Sequence, residues 1–346
     1  MDVEAERELS YGLTLLPPAL VCVVTGVFAL FAAELAGISA WPLLSYFECA
    51  KVTLACATLF ALYTVARAAL LRTGEPLKQL AGDLARRLPI LLLPAVILPA
   101  FLVGYTTSKT AIPLLVGYTW DAFWANADRL IFGGDVWRIS RAIFGNSTSP
   151  FWEYFYAVAW GSAFLLSTNF VAILGRRTFV GVFFTALLGA WLIGGCFMAY
   201  AFSAAGPVFA PIFDPSLSER FRPLHEVLAQ TLGNRSIAMA QQYLVVAAQE
   251  THVASKGGGI SAMPSMHIAT VTIYVLAARG TKWMLPACLF WILIFIGSGY
   301  FGFHYWVDGL VGAAVSICCW KAAVAIYGRL SKPSEVRVGR LEPAVG

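Results

Sequence analysis

Eight long apolar stretches constrain what this chain can fold into more than any other feature of its sequence. Each has about 17 to 25 mostly apolar residues, the length that a helix needs to cross the hydrocarbon core of a bilayer. Only 12% of the residues are charged, against about 25% in a typical soluble domain. The sequence therefore predicts an all-α fold, a polytopic integral membrane helix bundle of about eight transmembrane helices. The stretches are residues 13–36, 46–71, 88–105, 151–174, 179–202, 264–280, 283–301 and 305–327.

Basic residues between these stretches predict the orientation of the bundle. Short cytoplasmic loops collect Lys and Arg, and with eight spans the basic clusters around Arg7, Arg176 and Arg279 all fall on the cytoplasmic side. Two long loops, 106–150 and 203–263, then lie on the opposite side. We expect a multi-pass protein of a bacterial plasma (inner) membrane, or of the Golgi or endoplasmic reticulum if the cell is eukaryotic.

The same pattern divides the chain into four parts. Residues 1–105 are predicted to form an N-terminal transmembrane group, and residues 106–150 an outer loop with interfacial helices. Residues 151–328 form a second transmembrane core, and residues 329–346 a cytoplasmic tail.

The seven cysteines lie within or beside the apolar stretches and show no paired spacing. Disulfide frameworks and zinc sites both require such pairs. We therefore expect neither of them, and no metal site.

Two of the four histidines lie at the start of apolar stretches near the end of the chain. His267 follows Pro264-Ser265-Met266, and His304 precedes Asp308 by four residues. An ionisable residue at a membrane boundary is costly and is a functional-site hypothesis by default. With eight spans both histidines lie at the same depth on the outer side, so they can share one pocket. Four residues separate neighbours on a helix face, so Asp308 is placed to hold the His304 imidazole.

The segment before His267 has the features of an anion site. Pro264 suits the first position of a helix, and the free N–H groups after it, at the positive end of the helix dipole, can bind a phosphate. Ser265 adds a hydroxyl, and Lys256 offers a cation just before the flexible run 257–259 of three glycines. A phosphate held there would face both imidazoles.

These residues resemble the motifs of the type 2 phosphatidic acid phosphatase superfamily, whose members are integral membrane phosphatases and phosphotransferases. The second family motif, Pro-Ser-Gly-His, is similar to residues 264–267, and the third ends in a histidine followed four residues later by aspartate, as in His304 and Asp308. The Met266 in place of glycine and the His-Tyr-aromatic-Val-Asp run look more like the inositol phosphorylceramide synthase branch. The resemblance implies a phosphatidic acid phosphatase-type core within the predicted bundle.

The resemblance also implies a mechanism and a set of catalytic residues. His304 would attack phosphorus and form a phosphohistidine, Asp308 would hold its tautomer, and His267 would protonate the leaving oxygen and then deprotonate the acceptor. Ser265 and Lys256 would bind the phosphoryl oxygens. The implied reaction needs neither a metal nor another cofactor.

Two departures from the family pattern concern its positive charges. Where phosphatase members carry a Ser-Arg pair before the second histidine, this chain has Gly297 and Ser298. The first motif, a lysine followed seven residues later by Arg-Pro, finds no match either, because Pro215 occupies the lysine position before Arg222. The candidates for a replacement cation in the outer loop are Lys256, Arg220, Arg222 and Arg235.

Three classes of function remain open at this stage. The first, which we favour, is an enzyme that transfers a phospho-headgroup between lipids at the extracytoplasmic face, with hydrolysis of a lipid phosphate as the alternative reaction. The second is a transporter. Two observations argue against it, because the polar residues cluster at one face and no inverted repeat is evident. The third is an inactive lipid-binding scaffold, which would be expected to lose a site residue. The expected partners are a lipid phosphoester, a hydroxyl acceptor lipid and the bilayer, and no nucleic acid.

Overall fold

The computed structural model describes residues 9–70, 82, 85–232, 250–256 and 258–331. Apart from an isolated bridge between Ser39 and Val253, all regular structure in these residues is helical, and the all-α prediction is confirmed for them. The main helices, in chain order, are α1 (Tyr11–Ala36), α2 (Trp41–Leu70), α3 (Leu93–Leu115), α4 (Asp121–Phe132), α5 (Val136–Phe144), α6 (Asn146–Leu174), α7 (Arg177–Ala201), α8 (Ser218–Leu232), α9 (Met266–Ala278), α10 (Met284–Tyr300) and α11 (Trp306–Leu330).

Six helices in the described part of the chain are long and apolar enough to cross a membrane, namely α1, α2, α3, α6, α7 and α11. This finding supports an integral membrane helix bundle. Two further apolar helices, α9 with 13 residues and α10 with 17, coincide with the sixth and seventh predicted spans. A helix of 13 residues rises about 20 Å, which is less than the roughly 30 Å of the hydrocarbon core. The predicted count of eight spans is therefore not confirmed.

Helix α3 ends at Leu115, although the hydropathy pattern predicts the end of this span at residue 105. The polar residues that follow residue 105 suggest a loop. In the structure the hydroxyls of Thr107, Ser108 and Thr110 each donate to the carbonyl four residues earlier, at 2.8 to 2.9 Å. Because these bonds satisfy the hydroxyls within the helix, the polar run continues the helix and stays buried.

Helix α7 lies at the centre of the bundle. Residues 180–188 of α7 are all buried, and α1, α9 and α11 pack around it. Gly181 allows the closest of these contacts, because a Cβ there would overlap the ring of Tyr327 in α11. The Tyr327 hydroxyl donates to the Thr14 carbonyl at 2.9 Å and lies 3.2 Å from the Thr185 hydroxyl. One tyrosine thus ties α1, α7 and α11 together at one end of the bundle.

Helices α3, α6 and α7 each contain one π-helical turn, at Leu93–Ile97, Tyr154–Ala159 and Ile193–Met198. Such turns widen a helix locally and are frequent at functional sites. The turn of α6 contains Tyr156, which stacks on His267. The turn of α7 contains Gly195, where a Cβ would lie 3.2 Å from Met266 Cγ. Two of the three π-turns therefore adjoin the first turn of α9.

The non-spanning helices α4, α5 and α8 gather at the end of the bundle where α9 and α11 begin. Helix α4 packs against α11, and α5 packs against α10. Gly133, with φ of 81°, ends α4 in the left-handed conformation that glycine adopts without strain. These helices cover a hydrophobic core that is built around residues 199–228, 260–271 and 294–307.

Candidate functional site

His304 lies in the short turn between α10 and α11, where Gly302 has a positive φ of 67°. Its backbone N–H donates to the Ser298 carbonyl at 3.3 Å. Its Nδ1 lies 2.7 Å from the Ala262 carbonyl oxygen and 3.5 Å from Asp308 Oδ2. The pairing with Asp308 that the spacing predicts is thus present, but the Ala262 carbonyl makes the shorter contact.

These contacts define the state of the His304 ring. A carbonyl oxygen can only accept a hydrogen bond, so Nδ1 carries the proton and Nε2 keeps its lone pair. Burial lowers the pKa of His304 to about 4, although the hydrogen bond to Ala262 opposes the shift, and the positive charge of Lys109 lowers the pKa further. At neutral pH the ring is therefore neutral, with Nε2 available as a nucleophile.

His267 lies in the first turn of α9, beside two aromatic rings of α6. The ring centroids of Tyr156 and Trp160 lie 4.5 and 4.0 Å from that of the imidazole. The Trp160 indole N–H also donates to the His267 carbonyl at 3.4 Å. The centroid of His304 lies 6.1 Å from that of His267. The two imidazoles therefore lie close together.

Ser265 is the N-cap of α9. Its hydroxyl accepts from the Ile268 N–H at 3.5 Å, and its own N–H donates to the Asp308 carbonyl at 3.0 Å. Pro264 lies one residue before the cap, after a cis peptide bond, and not in the first helical position that the sequence suggests. The N–H groups of Met266 and His267 have no acceptor within the helix, because they lie in its first turn. The start of α9 therefore presents free N–H groups of the kind that the predicted anion site requires.

Lys256 does not lie against the histidines in the structure. Its ammonium lies 3.8 Å from Glu48 Oε2 and 5.8 Å from the centre of the Tyr46 ring, both near the start of α2. Arg220 is bonded to α4 and its following turn, with Nε 2.9 Å from Asp135 Oδ1. Arg222 is exposed and pairs with Glu219 at 3.1 Å. Arg235, the remaining candidate cation, lies outside the described residues.

Among the residues that the structure describes, Lys109 of α3 is the lysine whose charge reaches the two histidines. It is partly buried, and its stem packs against Gly259, where a Cβ would lie 3.1 Å from Lys109 Cγ. Within the described residues it forms no ion pair. The sequence contained a signal for it, since a lysine within a membrane helix is a functional candidate, but the hydropathy pattern assigns Lys109 to a loop.

The described residues show no group of three His, Cys, Asp or Glu side chains that could hold a metal ion. All seven cysteines are free thiols.

Comparison with known protein families matches residues 147–322 to the model of the PAP2 superfamily. The matched segment is just over half of the chain, and it contains Ser265, His267, His304 and Asp308. It leaves out Lys109 and α4. Comparison with curated proteins and with solved structures finds no significant match.

Proposed function

Because the chain belongs to the PAP2 superfamily, we propose that it is a membrane phosphotransferase that moves a phospho-headgroup from one lipid to a hydroxyl of another. The observation that carries the proposal is the pair of imidazoles with ring centroids 6.1 Å apart beside the start of α9. One ring has its Nδ1 proton held by a carbonyl, and the other lies on a helix N-terminus that favours phosphate. Such a pair suits nucleophilic and acid–base roles on opposite sides of one phosphorus atom.

In the first step, His304 Nε2 attacks the phosphorus of the donor lipid. A P–N bond forms and the P–O bond to the lipid alcohol breaks, while protonated His267 gives its proton to the departing oxygen. The ring of His304 gains positive charge once Nε2 is bonded to phosphorus. The Asp308 carboxylate, 3.5 Å from Nδ1, offsets that charge.

In the second step, the acceptor hydroxyl attacks the phosphohistidine. His267, now neutral, removes the hydroxyl proton as the new P–O bond forms and the P–N bond breaks. His304 returns to its neutral form and His267 to its protonated form. The cycle is thus balanced in protons and needs no group beyond the two histidines for acid–base chemistry.

The phosphoryl oxygens carry negative charge throughout, and Lys109 and the start of α9 are the groups that can oppose it. The first-turn amides of α9 point toward an anion at that end, and Ser265 adds a hydroxyl. Lys109 takes the role that the sequence suggests for Lys256, because its charge reaches both histidines. Preorganised donors of this kind usually give the largest electrostatic contribution to such a reaction.

Transfer is favoured over hydrolysis by the surroundings of His267. The rings of Tyr156 and Trp160 both lie against its imidazole, and Phe303 stacks on Tyr156 at 5.5 Å. An apolar enclosure of the base disfavours water and admits the hydroxyl of a lipid whose chains lie in the bilayer. The likeness of the His267 segment to the inositol phosphorylceramide synthase branch supports the same reaction.

The dependence of the reaction on an acceptor tests this choice. The purified protein in lipid is given phosphatidylinositol, phosphatidylglycerol or phosphatidic acid, with and without ceramide or a diacylglycerol whose acyl chains differ from those of the donor. We expect a new phospholipid only when the acceptor is present. Release of the free phospho-headgroup, which is inorganic phosphate from phosphatidic acid and inositol phosphate or glycerol phosphate from the other two donors, at a rate that does not depend on the acceptor would contradict transfer and indicate a hydrolase.

We place the site on the extracytoplasmic side, as the distribution of basic residues favours. Single cysteines at positions 256 and 279, both exposed, test the orientation with a thiol reagent that does not cross membranes. Intact cells or vesicles of known orientation should be labelled at 256 from outside and at 279 only after permeabilisation. The reverse pattern would place the site in the cytoplasm.

A further inference from the structure

Helix α4 carries two buried carboxylates that the proposed mechanism does not use. Asp121 and Asp128 are each only 2% exposed. They lie seven residues apart, so they share one face of the helix. Neither forms an ion pair within the described residues. Burial raises the pKa of Asp121 and raises that of Asp128 to about 7, although backbone hydrogen bonds oppose both shifts. Burial of a carboxylate without an ion pair costs free energy, which hydrogen bonds to the carboxylate oxygens offset in part.

Asp121 holds two segments of the chain at once. Its Oδ2 accepts from the Ala205 N–H, and its Oδ1 from the Gly206 N–H, each at 2.8 Å. Oδ1 also accepts from the Tyr305 hydroxyl at 3.0 Å. The two amide hydrogen bonds therefore fix the turn at residues 204–206, and the bond from the Tyr305 hydroxyl fixes the residue that follows His304.

The turn that Asp121 holds leads to the His304 ring through two further hydrogen bonds. The Ala204 carbonyl accepts from the Ala262 N–H at 2.8 Å. The Ala262 carbonyl in turn lies 2.7 Å from His304 Nδ1. The turn also lies directly against the residue before His304, because a Cβ at Gly206 would overlap the Phe303 carbonyl oxygen. Asp121 is thus linked to the imidazole of His304 through Ala262, and to the two chain neighbours of His304, which are Phe303 and Tyr305.

Asp128 binds the chain on the C-terminal side of His304. Its two oxygens accept from the Trp306 and Val307 N–H groups at 3.1 and 3.0 Å. These are the first two residues of α11, directly after Tyr305. The start of α11 is therefore fastened to α4 two residues beyond His304.

We infer that Asp121 and Asp128 are positioning residues that set the tautomer and direction of the His304 imidazole from outside the matched family segment. Asp121 acts on the Nδ1 proton through the Ala262 carbonyl, and Asp128 fixes where α11 begins. This inference rests on the proposed role of His304 as nucleophile. A shift of about 1 Å in such a group can lower a rate roughly 100-fold.

Asp121→Asn in the full-length protein tests the inference. An asparagine has one acceptor oxygen where the aspartate has two, so one of the amides of Ala205 and Gly206 must lose its partner. We expect kcat to fall between about 10- and 100-fold while KM changes less than about threefold. Asp121→Glu, which keeps both oxygens, should recover part of the loss. Asp128→Asn should behave like Asp121→Asn with a smaller effect.

Asp135→Asn is the matched control. Asp135 is also a largely buried carboxylate, at the N-cap of α5, but it pairs with Arg220 and not with the neighbours of His304. Its variant should keep wild-type kcat even where its thermal stability falls. If Asp135→Asn and Asp121→Asn lose activity equally, Asp121 has only a structural role and the inference is overturned.

A second measurement does not depend on catalysis. The Nδ1 proton of His304, in a 2.7 Å hydrogen bond, should give a downfield proton resonance that disappears in His304→Ala. We expect that resonance to shift or broaden in Asp121→Asn and to stay unchanged in Asp135→Asn. An unchanged resonance in Asp121→Asn refutes the inference whether or not the protein is a phosphotransferase.

Tyr305→Phe serves if Asp121→Asn does not fold. It removes only the hydroxyl that donates to Asp121 and keeps the buried ring. The inference requires a smaller change of the same kind, a lower kcat and a shifted His304 resonance. Wild-type values for both would overturn it.

Discussion

The starts of α9 and α11 both adjoin a histidine of the site, yet their free N–H groups meet opposite surroundings. At α11, the Tyr305 N–H donates to Asp308 at 2.9 Å, and the next two N–H groups donate to Asp128. At α9, the only side-chain cap is the neutral Ser265 hydroxyl, which lies 3.5 Å from the Ile268 nitrogen. The start of α11 is therefore capped by two carboxyl groups, whereas no carboxyl group caps the positive end of the α9 dipole.

This difference in capping indicates different roles for the two helix starts. A helix N-terminus with neutral capping attracts an anion, whereas one whose first N–H groups already donate to carboxyl oxygens has no free donors to offer it. Under the proposed reaction, the start of α9 therefore receives the phosphate, and the start of α11 holds the nucleophile. The two starts are in contact, since a Cβ at Gly312 of α11 would overlap the Ser265 carbonyl oxygen.

The largest effect is expected from removing the histidine before α11. His304→Ala should abolish the phosphohistidine and lower the rate about 10⁴-fold or more. His267→Ala should be nearly as harmful with a lipid alcohol as leaving group, but much less so with an activated leaving group that needs no proton. Acid-labile labelling by a radioactive donor lipid measures the first step directly. Labelling that survives in His304→Ala would contradict the assignment of the nucleophile.

A loss of about 10²- to 10³-fold is expected when the cation beside α9 is removed, the range typical of a preorganised donor. Lys109→Met keeps the length of the stem and removes the charge, whereas Lys109→Arg should retain part of the activity. Lys256→Met is the matched control, because Lys256 pairs with Glu48. Steady-state kinetics with one donor lipid should separate the two lysines. A greater loss at Lys256 than at Lys109 would return the phosphate role to the loop.

Making α9 resemble α11 should produce the next largest effect. Ser265→Asp places a carboxylate at the start of α9, so it should stabilise the helix and weaken the binding of a phosphate, with KM raised about 10-fold or more. Ser265→Ala, by contrast, should cost about 1 kcal/mol of stability through loss of the cap and, because it adds no negative charge, should raise KM less than Ser265→Asp does. If Ser265→Asp leaves KM unchanged, the phosphate does not bind at this helix start.

A smaller effect is expected from pH, because the His304 ring is neutral over most of the accessible range. Its pKa is lowered to about 4, so attack on phosphorus should be independent of its titration above about pH 5 and fall as the pH approaches 4. The measurement is the rate of phosphohistidine formation in His267→Ala with an activated donor, which removes the titration of the second histidine. A midpoint near the ordinary value of about 6.5 would contradict the buried, carbonyl-bonded state of the ring.

The smallest effect is expected from chelators. If Lys109 and the amides of α9 supply the positive charge at the phosphate, as we propose, exhaustive treatment with EDTA should change the rate of transfer by less than about twofold. The measurement is the initial rate before and after chelation, with added Mg²⁺ or Zn²⁺ as the control. A large loss that either ion restores would show that the protein groups do not suffice.

Much of the architecture and the two histidines could be predicted from the sequence, because the signals that carry them are local. Apolar length predicts helices in a bilayer, where each backbone group must be paired within its own segment. The Pro-Ser cap and the start of an apolar run placed His267 in a first helical turn. The spacing of His304 and Asp308 predicted their proximity. The polar run after residue 105 misled the prediction, because its hydroxyls bond within α3.

The tertiary structure alone decided which groups meet the two imidazoles. The carbonyl that holds His304 Nδ1 belongs to Ala262, 42 residues earlier in the chain. The rings that enclose His267 come from α6, the cation from α3, and the carboxylates that fasten the turn from α4. None of these pairs has a spacing that a periodic pattern could reveal. They meet because helices that are distant in sequence pack side by side, and the direction of each side chain then depends on that packing and not on its neighbours in the chain.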